Sequence, residues 1–315
     1  MSEENRTVTE TFFDVLQGVA GELEVKYSEA HWNYPWPLKK ELPEDYDRTF
    51  LYHYTSQAGA HGILDSKSIW ADDAFFLNDP QEVAWGREAL KTAIERLDTS
   101  KQAQLKQVLS SLTKVSADDG HQAGGLVRSR AYTVSFSKNE DVLRQWRAYG
   151  GSRGVALGFN LKLLAKTQPD ALLAPVLYKE QEVLADLFYN DLTTALESDE
   201  ARQLKPSDRR NHLIERYATL LPLAKSPDYE DEEEWRLVVP GFRVREAVPK
   251  WRSGRDYATP YLTLGLWDDK TKGQLDAFQG CHAVMGPEAH PLARQFFDKT
   301  LKGRVVTSKI KFRSS

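Results

Sequence analysis

His53 and Thr55 in "LYHYTS", Ser135 and Ser137 in "YTVSFS", and Glu232 and Glu234 in "EEEWRLVV" form three pairs of polar side chains, each spaced two residues apart. The residues around them are aromatic and β-branched, so each stretch predicts a strand. Successive strand residues point to opposite faces. Leu51 therefore joins His53 and Thr55, with Tyr52 and Tyr54 on the other face. Thr133 joins Ser135 and Ser137, opposite Val134 and Phe136. Glu232, Glu234, Arg236 and Val238 lie opposite Trp235, Leu237 and Val239. A sheet with one face in water gives the same pattern, and for any single strand that is the simpler reading. A histidine, serine hydroxyls and paired carboxylates also suit a cleft that holds a sugar or nucleotide. A carboxylate beside a ribose stabilises the charge of an oxocarbenium-like transition state. Histidine and hydroxyl groups orient the sugar, and an aromatic ring stacks on the leaving base.

Other chemistries find less support. His53, His61, His121, His282 and His290 have no partner at metal-ligand spacing. No Walker loop occurs. Cys281 and His282 are neighbours on a predicted strand and point apart, which argues against a dyad. Glu82 falls three residues after Asp79 and reads as a capping-box residue, with Asn78 and Asp79 as turn and cap. Trp146 and Tyr149 share one helix face and read as packing. The basic stretch "RVREAVPKWRSGR" interleaves Trp251 with arginines and lysine; it is either a solvated run or a grip for phosphates and a base.

The elements that must position these groups follow from local pattern. Val8, Phe12, Val15, Val19 and Leu23 predict an amphipathic N-terminal helix, and the proline-rich "NYPWPLKKELPEDYD" a connector. Residues 1–48 thus form an N-terminal extension, and residues 49–315 one α+β domain. Within it the pattern predicts helices over Ala58–Asp65, Lys101–Leu112, "DVLRQWRAY" and Pro291–Leu301, one after "LNDP", and two between Glu180 and Ala224. Strands are expected over Ser68–Phe76, Arg130–Ser137, Gly154–Asn160, Leu172–Tyr178, Glu232–Pro240, Tyr257–Leu264, His282–Gly286 and Arg304–Phe312, and "VSADDGHQAGG" is expected to be a loop. Strands and helices do not alternate regularly, so an α+β fold is expected rather than a doubly wound parallel sheet.

Composition bounds the rest. With 41% hydrophobic and 11% aromatic residues, the 315-residue chain can bury a sizeable core. Its formal net charge of −4 does not mark a generic nucleic-acid binder. A single cysteine allows no intrachain disulfide and fits a cytoplasmic protein. No signal-peptide pattern opens the chain, and no apolar run nears the roughly 20 residues of a membrane span.

The motifs "LYHYTS", "FFLNDPQE", "VSFS", "RQWRAYGGSRGVALGF", "EEEWRLV", "AVMGPEA" and "SKIKFR", in this order across Phe50–Arg313, resemble the bacterial family catalogued as domain of unknown function 2971. More distantly, a His-x-Thr strand followed by a short helix is similar to the opening of ADP-ribosyltransferases of the His-Tyr-Glu and nucleic-acid-modifying kinds. That resemblance implies mixed, mostly antiparallel sheets forming a cleft. It implies NAD as substrate, held by His53, Thr55, Ser135 and Ser137, with Glu234 catalytic and Glu232 two residues before it. The tyrosine that stacks on nicotinamide in such enzymes has two candidate matches, Tyr132 and Tyr149. The acceptor is RNA, DNA or protein, and a toxin or phage-defence role with an antitoxin partner is implied. A non-catalytic module binding nucleotide or nucleic acid is the alternative. A metal-dependent phosphodiester hydrolase is the weakest reading, since few carboxylates can be brought together.

Overall fold

The computed structural model describes residues 10–21, 26–27, 40–41, 49–76, 81–97, 130–161, 164–165, 171–197, 205–241, 249–253, 258–266 and 280–311. Lys101–Leu112, "VSADDGHQAGG", Asn78, Asp79, most of the proline-rich connector and the outer turns of the predicted N-terminal helix lie outside these residues.

A sheet of ten strands organises the chain. In chain order these are β1 (Phe50–Thr55), β2 (Ser68–Asp73), β3 (Ala131–Ser137), β4 (Val155–Asn160), β5 (Leu172–Pro175), β6 (Glu234–Pro240), β7 (Lys250–Ser253), β8 (Ala258–Gly265), β9 (Cys281–Met285) and β10 (Val305–Thr307). The main path runs β7-β8-β2-β3-β1-β4-β9-β10, and β6 pairs with both β3 and β5. Every pairing is antiparallel except β9 with β10. The fold is α+β, as the irregular alternation predicts.

One end of the sheet forks. Along one edge of β3, β6 pairs from Ala131 to Ser137. The other edge is shared. β2 pairs at Tyr132 and Thr133, and β1 pairs only at Ser137, through Tyr52. Extending both registers would bring Tyr54 and Trp70 to the same position beside Ser135. Two strands cannot occupy one edge, so β1 and β2 splay apart there. They run parallel to each other and are joined by α2 (Gln57–Ser66), whose N-cap Ser56 accepts from the Gly59 amide.

The helices close one core. α1 (Phe12–Gly21) brings Phe12 and Leu16, both fully buried, against α4 (Gln181–Glu197), where Phe12 stacks on Phe188 at 4.8 Å. Between them in sequence is α3 (Gln81–Glu95), and α5 (Pro206–Leu220) and α6 (Pro291–Thr300) follow. A second, smaller core on the far side of β1 gathers Tyr52, Tyr54, Trp146, Ala156 and Val284.

Several boundaries differ from those predicted, each for a local reason. The strand from Ser68 stops at Asp73, because its carboxylate accepts the Phe75 amide at 3.0 Å and pairs with Arg130, turning the chain into a 3₁₀ segment. The stretch "DVLRQWRAY" forms only a short helix, Leu143–Gln145, which widens into a π-helix over Trp146–Gly150. That widening seats the fully buried Trp146 against Tyr54 at 4.8 Å, with Nε1 donating to Asp141 at 2.7 Å. The last strand ends at Thr307, because Asp141 takes the Ser308 hydroxyl at 2.6 Å and the Lys309 amide at 2.9 Å.

Candidate functional site

The register decides which of the predicted residues meet. Tyr52, not His53, stands opposite Ser137, and Glu234 also stands opposite Ser137. Paired residues in a sheet share a face. Ser135, Ser137, Glu234 and Arg236 therefore share one face with Tyr52 and Tyr54, while His53 and Thr55 lie on the other. This corrects the expectation of one face common to all three strands. A one-residue offset in pairing moves an entire strand's side chains across the sheet, and nothing in "LYHYTS" fixes that offset.

His53 nevertheless reaches the serine strand. It sits at the fork, where the Ser135 carbonyl has no strand partner, and its Nδ1 donates to that oxygen at 3.0 Å. The ring also packs edge-on against Phe136, with centroids 6.0 Å apart. A carbonyl only accepts, so Nδ1 carries the proton and Nε2 is left as an acceptor. Burial pulls the His53 pKa below its ordinary value, against the opposing effects of the Ser135 bond and the Asp72 charge. The neutral ring is the working form. Thr55 turns toward α2: a methyl group at Gly59 would come within 2.3 Å of its hydroxyl, so the close approach needs glycine.

On the opposite face, Glu234 is buried in a network of charges. Its Oε1 accepts from Arg236 Nε at 2.7 Å, and its Oε2 accepts from Arg236 Nη2 at 3.0 Å and Lys225 Nζ at 3.2 Å. The Ser135 hydroxyl lies on the same face and helps hold this carboxylate ionised. Lys225 also donates to Glu232 at 2.7 Å and lies over the Tyr229 ring at 4.9 Å. Arg236 is the most deeply buried member, at 1% exposure, and its Nη1 donates to the Pro222 carbonyl at 2.6 Å. Burial pushes the Glu234 pKa up, but Arg236 and Lys225, with the Arg236 hydrogen bonds and the Ser135 hydroxyl, outweigh it and hold it down at about 2. Glu232 moves the other way: burial raises its pKa against the pull of Lys225. The two neighbouring carboxyls thus differ in proton affinity, as in acid–base pairs.

The simpler reading of Glu232–Val238 as a solvated face does not hold, and Glu234 is buried among charges, not in the open, concave setting expected of a cleft. The 3₁₀ segments Leu221–Leu223 and Pro227–Glu232 and the parallel pair Leu177–Tyr178 with Ala224–Lys225 surround this end of β6. Glu232 ends the second 3₁₀ segment instead of opening the strand, and Glu233 takes a left-handed backbone with φ 41°. Arg144 pairs with Asp231, and Asn139 with Glu233, binding the segment to the end of β3. Ser137 is spent locally, donating to the Glu232 carbonyl at 3.4 Å and accepting the Asn139 amide at 3.2 Å.

Lys225 and Arg236 were absent from the predicted site. Lys225 had a signal: it ends the apolar run Leu220–Ala224. A lysine buried with such a run requires an anionic partner. Cys281 is buried, which pushes its thiol up to about 12, so it is not a nucleophile. Among the described residues no group of three His, Cys, Asp or Glu side chains is disposed to hold a metal ion. Among them, too, no helix is long and apolar enough to cross a membrane.

Residues 145–237 match a family model described as protein of unknown function (DUF2971). The match supports the resemblance drawn from the ordered motifs. It takes in the π-helix, Lys225 and the Glu234–Arg236 pair, and leaves β1 to β3 outside. No curated protein and no solved structure matches the chain.

Proposed function

We propose that the chain transfers ADP-ribose from NAD, with the nicotinamide ribose gripped at the fork between β1 and β2. The observation that carries the reading is the junction at Ser135, whose carbonyl accepts the His53 Nδ1–H bond while its hydroxyl helps hold the Glu234 carboxylate ionised. In this reading His53 Nε2 accepts a hydroxyl of the ribose. The bond between ribose C1′ and nicotinamide breaks, and nicotinamide leaves with the bonding pair. Glu234, ionised and fixed on the far face beside Ser135, stabilises the positive charge left on the sugar through its field across the strand. An acceptor then bonds to C1′ and loses its proton, for which Glu232 is the better-matched base, being the carboxyl with the raised pKa. Because Glu234 already accepts from three nitrogen donors, its part is that of a preorganised anion rather than a mobile base.

One observation favours a second reading. The Arg236 and Lys225 bonds satisfy Glu234 without any substrate, as they would in a non-catalytic module that binds nucleotide or nucleic acid. A cytoplasmic toxin or phage-defence effector with an antitoxin partner is the setting implied by the resemblance under the first reading.

The test is mass spectrometry of a cell lysate incubated with the full chain and NAD. Transfer predicts new adducts of one ADP-ribose on protein or nucleic acid, absent with Glu234→Gln. Adducts at the parent level with that variant would remove Glu234 from the chemistry. Binding of NAD with no adduct and no free nicotinamide would favour the second reading.

A further inference from the structure

The face that carries Glu234 is covered at β6 and open at β2, β8 and β7. Register places the open half. Thr133 pairs with Asp72, Asp72 with Tyr261, and Tyr261 with Lys250, so these side chains form one row on the Ser135 face. Trp70 and Arg252 lie two residues along their strands, on the same face. Trp70 is 49% exposed. Its indole is held from one side by Tyr261, with centroids 4.5 Å apart and planes 33° apart, leaving a fixed aromatic surface toward solvent. Arg252 does not fold over that ring; it is tied to Asp72 by two bonds, at 3.0 and 2.6 Å. Lys250 is exposed. At the inner end of the row, beside the fork, the buried Thr133 hydroxyl has no hydrogen-bond partner among the described residues.

We infer that this ledge binds single-stranded nucleic acid, with an unpaired base stacked on Trp70 and a backbone phosphate on Lys250. An oriented aromatic platform beside a cation is the arrangement that grips single strands without reading sequence. Among the described residues of this row, Lys250 and Arg252 stand against Asp72, a positive balance in a chain of net charge −4 that complements phosphate. A base stacked there would lie next to the fork, on the side from which an acceptor reaches C1′. For the identity of the acceptor the inference rests on the transferase reading; the binding itself does not.

The experiment is fluorescence anisotropy of labelled oligo-dT and oligo-rA of about 12 nucleotides with the full chain, without NAD. Saturable, salt-sensitive binding is expected. Trp70→Ala should weaken it about tenfold, Trp70→Phe should largely retain it, and Lys250→Ala should lower the salt slope by about one. Trp251→Ala, on the opposite face, should bind as the parent does, and equal thermal midpoints show that the variants fold. Failure of both oligonucleotides to bind, or a Trp70→Ala variant that binds like the parent, overturns the inference. Binding of polyglutamate in place of the oligonucleotides overturns it in favour of an acidic protein partner. Trp70-dependent binding in a chain that leaves NAD intact would sink the transferase reading while this inference stands.

Discussion

His53 and Glu234 approach one residue from opposite faces of the sheet: His53 Nδ1 donates to the Ser135 carbonyl at 3.0 Å, and the Ser135 hydroxyl helps hold the Glu234 carboxylate ionised. The backbone atom fixes the histidine tautomer and the side-chain atom helps fix the carboxylate charge. Ser135→Ala should separate the two. The carbonyl remains, so the His53 titration followed by NMR should not move, whereas the Glu234 pKa should rise. Movement of both would mean that the hydroxyl holds the fork itself.

Removing His53 leaves the Ser135 carbonyl without a partner where β1 and β2 diverge. His53→Ala should cost about 1–3 kcal/mol, the range for a buried acceptor left unsatisfied. Urea denaturation checks this. A loss within error of zero would mean that water replaces the ring.

Lys225 binds two carboxylates at once. Lys225→Met leaves Glu232 and Glu234 facing each other in a buried site with Arg236 as the main counter-charge, and should destabilise by about 3–5 kcal/mol. Adding Glu232→Gln should recover part of that loss, since one of the stranded charges is gone. A double variant no more stable than Lys225→Met alone would contradict the assigned network.

The sequence made nine of the sheet's ten strands and the α+β class legible, all but Lys250–Ser253, because alternation and turn residues are local signals. It did not show the fork or the faces. "LYHYTS" and "YTVSFS" each define two faces, but the pairing Tyr52 with Ser137 depends on how β1 yields the edge of β3 to β2, which no single strand encodes. Glu234 stood out beside Trp235 and Arg236, yet its burial depends on Lys225 and Pro222 arriving from a preceding segment. The π-helix was hidden for a similar reason: "RQWRAYG" has helical spacing, and Tyr54 and Asp141 decide how its turn is wound.

Stability should respond to pH with a sign set by each group. The folded Glu234 pKa, about 2, lies below its ordinary 4.5. The unfolded chain binds more protons between those values, so this contribution is full above pH 4.5 and is lost as pH falls toward 2. His53, also lowered, contributes fully above its ordinary 6.5 and loses that contribution as pH falls through its folded value. Glu232, raised by burial, acts oppositely: its contribution is full below 4.5 and is lost as pH rises through its folded value. The urea midpoint of the parent should therefore fall more steeply from pH 4.5 downward than that of Glu234→Gln. Parallel curves would mean that Glu234 is not the anchored anion.

The central claim is that this fork cleaves NAD, and release of nicotinamide tests it most directly. Purified full chain mixed with NAD and followed by proton NMR should show free nicotinamide growing as NAD declines, with or without an added acceptor. His53→Ala and Glu234→Gln should each slow that growth by about 10²-fold or more, the scale for removing a preorganised electrostatic contact. NAD that stays intact with the parent chain, or variants that consume it at the parent rate, would contradict the account.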